Sequence, residues 1–128
     1  MTRFIAILFL IAAQQASATD TFSERISKAR KAERSPVAQP TLVEFMNETR
    51  YSSQNAMGKC FTGGEHPSYT LVADLLADGT IANVEIQPLT PVLECYQREF
   101  QKITFKAPIP DQYREDGLPI FIKTTWRH

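Results

Sequence analysis

The stretch LVADLLADGTIANVEIQ, residues 71–87, carries alternating side chains on either side of an Asp78-Gly79 pair. Reading back to Tyr69, the set Tyr69, Leu71, Ala73 and Leu75 alternates with Thr70, Val72, Asp74 and Leu76, which is the period of a strand with one mostly apolar face. Asp78 and Gly79 tolerate positive φ, so the spacing predicts a tight hairpin here. On the return, strict alternation sends Ile81, Asn83, Glu85 and Gln87 to one face and Ala82, Val84 and Ile86 to the other.

Downstream the period changes. Leu93, Tyr96, Phe100 and Ile103 recur every three or four residues and define one face of a helix, with Pro91 suited to its first turn because proline has no donor to lose there. Arg98, Glu99, Gln101 and Lys102 cover the opposite face. The prolines and charges of TFKAPIPDQYREDG then predict an irregular connection, and LPIFIKTTW predicts a last strand. Leu118, Ile120, Ile122, Thr124 and Trp126 share one side of that strand, Phe121, Lys123 and Thr125 the other. A right-handed crossover through the helix lays this strand beside the first strand of the hairpin and leaves it on an edge. The expected class is α+β, with two layers: a small antiparallel three-stranded sheet, built from hairpin, crossover helix and C-terminal edge strand, packed on helices.

Upstream, Thr41 and Glu44 have the spacing of a capping box ahead of Leu42, Phe45 and Met46. Tyr51, Met57 and Phe61 extend the helical signal, with breaks, toward Cys60, and Gly63-Gly64 ends it. The triplet Asn47-Glu48-Thr49 fits a glycosylation acceptor but falls inside a predicted helix and is read as chance. Residues 41–128 form the domain, with Pro36 and Pro40 marking its boundary. Residues 19–40 are a charged arm or linker in which Thr21, Glu24, Phe22, Ile26 and Ala29 allow a short helix. So little apolar area favours a mobile, solvated spacer, although its basic side chains Arg25, Lys28, Arg30, Lys31 and Arg34 outnumber Glu24 and Glu33.

At the start of the chain, Arg3, the apolar run of residues 4–13 and the small-residue site Ala16-Ser17-Ala18 read as a secretory signal peptide over residues 1–18. The apolar run is half of the roughly twenty residues a membrane-spanning helix needs, so no stable span is expected after cleavage. The precursor's formal net charge is zero, which gives no global field to recruit nucleic acid. An oxidising compartment, periplasmic or extracellular, favours a disulfide between the two cysteines, Cys60 and Cys95. Closing a loop of about 36 residues stabilises by up to about 4 kcal/mol through the unfolded chain's entropy.

These elements resemble the C-terminal domain of TonB and its relatives. The family pattern of a strand, a DG turn, a second strand of V-x-x-V-x-V type, a helix, an aromatic-x-x-Pro segment and a closing strand stands here as YTLVADLLADGTIANVEI, PVLECYQREFQKI, TFKAP and LPIFIKTTW. A cysteine-bearing subgroup of such domains, some in gliding-motility proteins, has a cysteine-aromatic pair before the first strand and a second cysteine in the helix, as Cys60-Phe61 and Cys95 stand here. The resemblance covers roughly residues 51–126. It implies the fold and the habit of binding an extended peptide along the last strand. The chain departs from the family's energy transducers in having a short charged arm instead of a membrane helix and long proline-rich spacer, and in carrying EHPS before the first strand. Coupling to a proton gradient is therefore not expected without another subunit.

For catalysis the sequence offers no G-x-S-x-G elbow and no phosphate loop after Gly63-Gly64, and Asp74 and Asp78 are explained by the hairpin. Its histidines, His66 and His128, are far apart, so no metal, cofactor or catalytic residue is expected. The leading expectation is a periplasmic or secreted protein-binding adaptor, envelope- or transport-associated, that pairs its last strand with a peptide or partner subunit in the cell envelope. Leu118, Ile120, Phe121, Ile122, Lys123, Thr124 and Trp126 are its candidate binding residues. Trp126, Tyr113 and Phe121 are either core or partner anchors. The alternatives are a small periplasmic hydrolase or ligand carrier with a pocket between helix and sheet, or a secreted inhibitor.

Overall fold

A computed structural model describes residues 20–64 and 66–125; the leader expected over residues 1–18, and Trp126 and His128, lie outside them. The element order is α1 (Phe22–Glu33), α2 (Gln39–Glu48), α3 (Arg50–Cys60), β1 (Tyr69–Leu75), β2 (Ile81–Gln87), α4 (Pro91–Phe100) and β3 (Leu118–Thr124). Short 3₁₀ turns occupy Thr62–Gly64 and Asp111–Tyr113. The three strands form one antiparallel sheet in the order β2-β1-β3, so the class is α+β and the crossover brings β3 beside the first strand of the hairpin.

The hairpin forms as its sequence requires, with one change of detail. The chain turns through Ala77, Asp78 and Gly79, with Gly79 N–H donating to Leu76 O at 2.9 Å and Leu76 N–H to Thr80 O at 2.9 Å. Only Gly79 takes a positive φ, of 88°. Asp78 contributes differently: its carboxylate accepts from Thr80 N–H at 3.0 Å and from Thr80 Oγ1 at 2.6 Å, closing the turn from the side.

Strict alternation fails in β2. Val72 pairs with Glu85 but Asp74 with Ala82, so β2 carries one extra residue opposite Ala73. Asn83, at φ 54°, absorbs it in a β-bulge. The bulge resets the phase, and Ile81 joins Val84 and Ile86 in the core where alternation placed it on the opposite face.

The main core lies between the sheet and α2, α3 and α4. Leu71, Leu75, Ile86, Leu93, Tyr96, Phe100, Leu118 and Phe45 are its largest buried side chains. Helix α4 begins with Pro91 in its first turn, as expected, and is capped by Thr90 Oγ1 accepting from Leu93 N–H at 3.3 Å. Helix α2 does not begin at the Thr41 capping box. Pro40, whose ring presets a helical φ, starts the helix a turn earlier, at Gln39, without a side-chain cap. The chain breaks at Thr49, whose buried hydroxyl donates back to Phe45 O at 2.6 Å. That break shifts the helical phase, so Tyr51 points outward at 77 % exposure, although the apolar pattern grouped it with Met57 and Phe61.

Cys60 and Cys95 are joined, with their Cα atoms 5.6 Å apart, tying the end of α3 to α4. Phe61 beside the bridge packs on Tyr96, ring centroids 5.4 Å apart, and Tyr96 on Phe100 at 5.8 Å.

The charged segment at the start of the described chain is the helix α1, capped by Thr21 Oγ1 accepting from Glu24 N–H at 3.1 Å. It lies on the sheet face opposite the main core, where Ala29 and Val72 are fully buried and Arg25 reaches Asp74. The two-layer description therefore holds for the main core, and α1 adds a thin third layer on the far side. No helix among the described residues is long and apolar enough to cross a membrane.

Candidate strand-pairing edge

An antiparallel sheet of three strands has two outer edges, and each presents main-chain donors and acceptors to whatever lies beside it. The two edges of this sheet are treated very differently. Along β2, Thr80 bridges Thr104, Phe105 N–H donates to Gly79 O at 2.8 Å, and both carbonyls of the bulge are taken by side chains. Gln97 Nε2 donates to Val84 O at 2.9 Å and Arg25 Nη2 to Asn83 O at 2.6 Å. A bulge and side-chain caps are established means of closing an edge to further pairing.

Along β3 no such closure is present among the described residues. Its pairing with β1 is unbroken over seven residues, from Leu118 opposite Leu75 to Thr124 opposite Tyr69. Pro119 has no N–H, so it occupies a position whose main chain points away from β1, and alternate residues share that direction. Phe121 and Lys123 therefore aim their N–H and C=O groups outward. Among the described residues, no hydrogen bond reaches that outer side. Entry into the strand is held by Gly117, at φ 89°, whose N–H donates to Tyr113 O at 2.8 Å.

The side chains named from sequence divide between core and surface. Leu118 and Ile120 are 0 % and 2 % exposed, so they hold the strand in place and cannot themselves grip a partner. Ile122 is half-buried against the main core, and Thr124 is half-buried opposite Tyr69. Phe121 is half-buried on the α1 face, with the Arg30 guanidinium carbon 5.3 Å from its ring centroid. Lys123, on the same face as Phe121, is exposed. Trp126 lies outside the described residues. Arg30 is the residue that sequence reasoning passed over. It was one of five basic side chains in a charged arm, and nothing in a one-dimensional pattern singles out the one that lands on Phe121.

A pocket between helix and sheet, which a hydrolase or carrier requires, corresponds to an open groove of about 1110 Å³ between α1 and the Asp74–Gly117 end of the sheet. Arg25, Lys28, Asp74, Glu85 and Asp116 are among its lining residues. Many of its charges pair with one another: Arg25 with Glu85 at 3.3 Å and with Asp74 at 3.6 Å, and Lys28 with Asp20. The Asp20 carboxylate, hydrogen-bonded to Lys28, raises the pKa of that ammonium. Asn83 Nδ2 also donates to Asp74 Oδ2 at 2.9 Å. These contacts fasten α1 to the sheet. In the core, burial raises the Tyr96 phenol well above its ordinary value while its oxygen stays 3.1 Å from Ser53 Oγ. Among the described residues no three histidine, cysteine or acidic side chains are grouped to hold a metal ion.

Comparison with known proteins found no matching family model, no matching curated protein and no matching solved structure.

Proposed function

We propose that this chain is an exported, TonB-like adaptor that recruits an extended segment of another envelope protein to the free edge of β3. The observation that carries this reading is the asymmetry of the sheet: the β2 edge is closed by a bulge, a bridge and side-chain caps, and the β3 edge has outward main-chain groups with no partner among the described residues. An extended segment added there gains main-chain hydrogen bonds, and its alternate side chains meet the two faces of the sheet. The order of elements and the Cys60–Cys95 bridge support the TonB-like reading, and the bridge together with the leader-like sequence supports a periplasmic or secreted location.

The test follows from the direction of the main-chain groups. Lys123→Pro removes an outward donor without taking a bond from the β1 ladder, whereas Ile120→Pro breaks the ladder itself. With a photo-crosslinking side chain at position 125, the wild-type strand is expected to yield a defined adduct in an envelope extract. Lys123→Pro, once its circular dichroism shows a native fold, is expected to lose most of that adduct. Equal adduct from both proteins would refute edge pairing.

A further inference from the structure

Helix α1 brings charge to the pairing edge. Arg30 stands over the Phe121 ring at 5.3 Å, and it is exposed. Stacking on an aromatic face leaves the guanidinium's in-plane N–H donors free to turn toward a carboxylate. Lys123, two residues along β3, projects from the same face and is exposed. Ion pairs among the described residues take up Arg25, Lys28, Lys59, Lys102 and Arg114, but neither Arg30 nor Lys123.

A strand laid beside β3 at about 4.8 Å directs every second side chain to the α1 face, next to Phe121, Lys123 and Arg30. The intervening side chains fall on the opposite face, beside the half-buried Ile122 and Thr124. The first set meets two cations with no ion-pair partner among the described residues, the second the exposed part of the Ile122 side chain.

We infer that the β3 edge selects an extended protein segment with acidic side chains on the α1 face and aliphatic side chains on the other, with Arg30 and Lys123 as the residues that read the charge. This rests on β3 being a pairing edge. It goes further in naming the chemistry of the partner and in giving the N-terminal helix a part in recognition. Opposite charges across neighbouring strands favour the matched pair, and like charges directly opposite disfavour the mismatched one.

The experiment uses the disulfide-bonded chain and three labelled seven-residue peptides that alternate valine with glutamate, serine or lysine, read by fluorescence anisotropy. The glutamate peptide is expected to bind about tenfold tighter than the serine peptide, the lysine peptide weakest, and the spread is expected to shrink as salt is raised. The double variant Arg30→Glu with Lys123→Glu, checked for native circular dichroism, is expected to invert the order. A fourth probe, the glutamate peptide with alternate amides N-methylated, is expected to lose binding. If the serine and glutamate peptides bind alike and methylation abolishes both, edge pairing stands and charge selection is overturned. If methylation changes nothing, the contact is not strand pairing and both readings fall. Absence of binding by every peptide overturns both as well, and an unchanged order in the double variant overturns the assignment to Arg30 and Lys123.

Discussion

A Cβ added to Gly79 would lie 1.9 Å from Phe105 O, and Phe105 N–H is bonded to Gly79 O at 2.8 Å. The residue is thus held by its φ of 88° and by the chain that follows α4, and neither can give way cheaply. Gly79→Ala is expected to cost at least about 2 kcal/mol, from backbone strain together with a backbone clash. Urea denaturation measures it, and a loss under half that size would mean the post-α4 segment moves aside. Its neighbour Asp78 acts through charge. The hydrogen bonds from Thr80 hold its carboxyl below the ordinary value of 3.8. A carboxyl depressed in the folded state contributes stability that is present above its unfolded pKa and is lost as pH falls through the folded one. The stability difference between wild type and Asp78→Asn is therefore expected to be constant near neutral pH and to shrink below about pH 4. A pH-independent difference, from denaturation at a series of pH values, would contradict the assignment.

The elements depend on one another unequally. Most of the core joins the sheet to α2, α3 and α4, whereas α1 buries few side chains completely, Ala29 and Ala32 among them. Its attachment leans on Arg25, whose side chain is 15 % exposed and which reaches Asn83 O, Glu85 and Asp74 together. Arg25→Ala is expected to raise amide exchange in α1 by about tenfold, a loss of about 1–2 kcal/mol in local stability, while amides of β1 stay protected. Amide hydrogen exchange followed by mass spectrometry distinguishes the two segments; uniform loss of protection would show that α1 is part of the global cooperative unit. The same helix carries Arg30, so a loosened α1 is also expected to weaken charge selection at the β3 edge.

For the molecule as a whole, the disulfide is the strongest single constraint on the unfolded chain. It links residues 35 apart and joins two helices that sit on the same side of the sheet. Replacing both cysteines, Cys60→Ala with Cys95→Ala, is expected to lower unfolding stability by up to about 4 kcal/mol, a large share of what a domain of this size holds. Equilibrium denaturation of the variant against the oxidised wild type checks this. A change below 1 kcal/mol would mean that the unfolded state of the variant is already compact around Phe61, Tyr96 and Phe100.

What was legible in the chain follows from local chemistry. The hairpin turn, the period of β1 and β3, Pro91 in the first turn of α4 and the Leu93-Tyr96-Phe100 stripe each depend on residues within a few positions of one another, and each stands where the pattern placed it. Local signals misled where a distant contact or a strong backbone preference intervened: Pro40 overrode Thr41, and the Asn83 bulge overrode alternation in β2. That β3 lies on an edge follows from the crossover; that the β2 edge is closed could not be read in one dimension, because closing it takes Gln97 from α4, Arg25 from α1 and Thr104 from the segment after α4. The seating of Arg30 on Phe121, 91 positions apart, is of the same kind. Periodicity records which face of an element is oily; only packing assigns that face a neighbour and, among the described residues, leaves one row of main-chain groups without any.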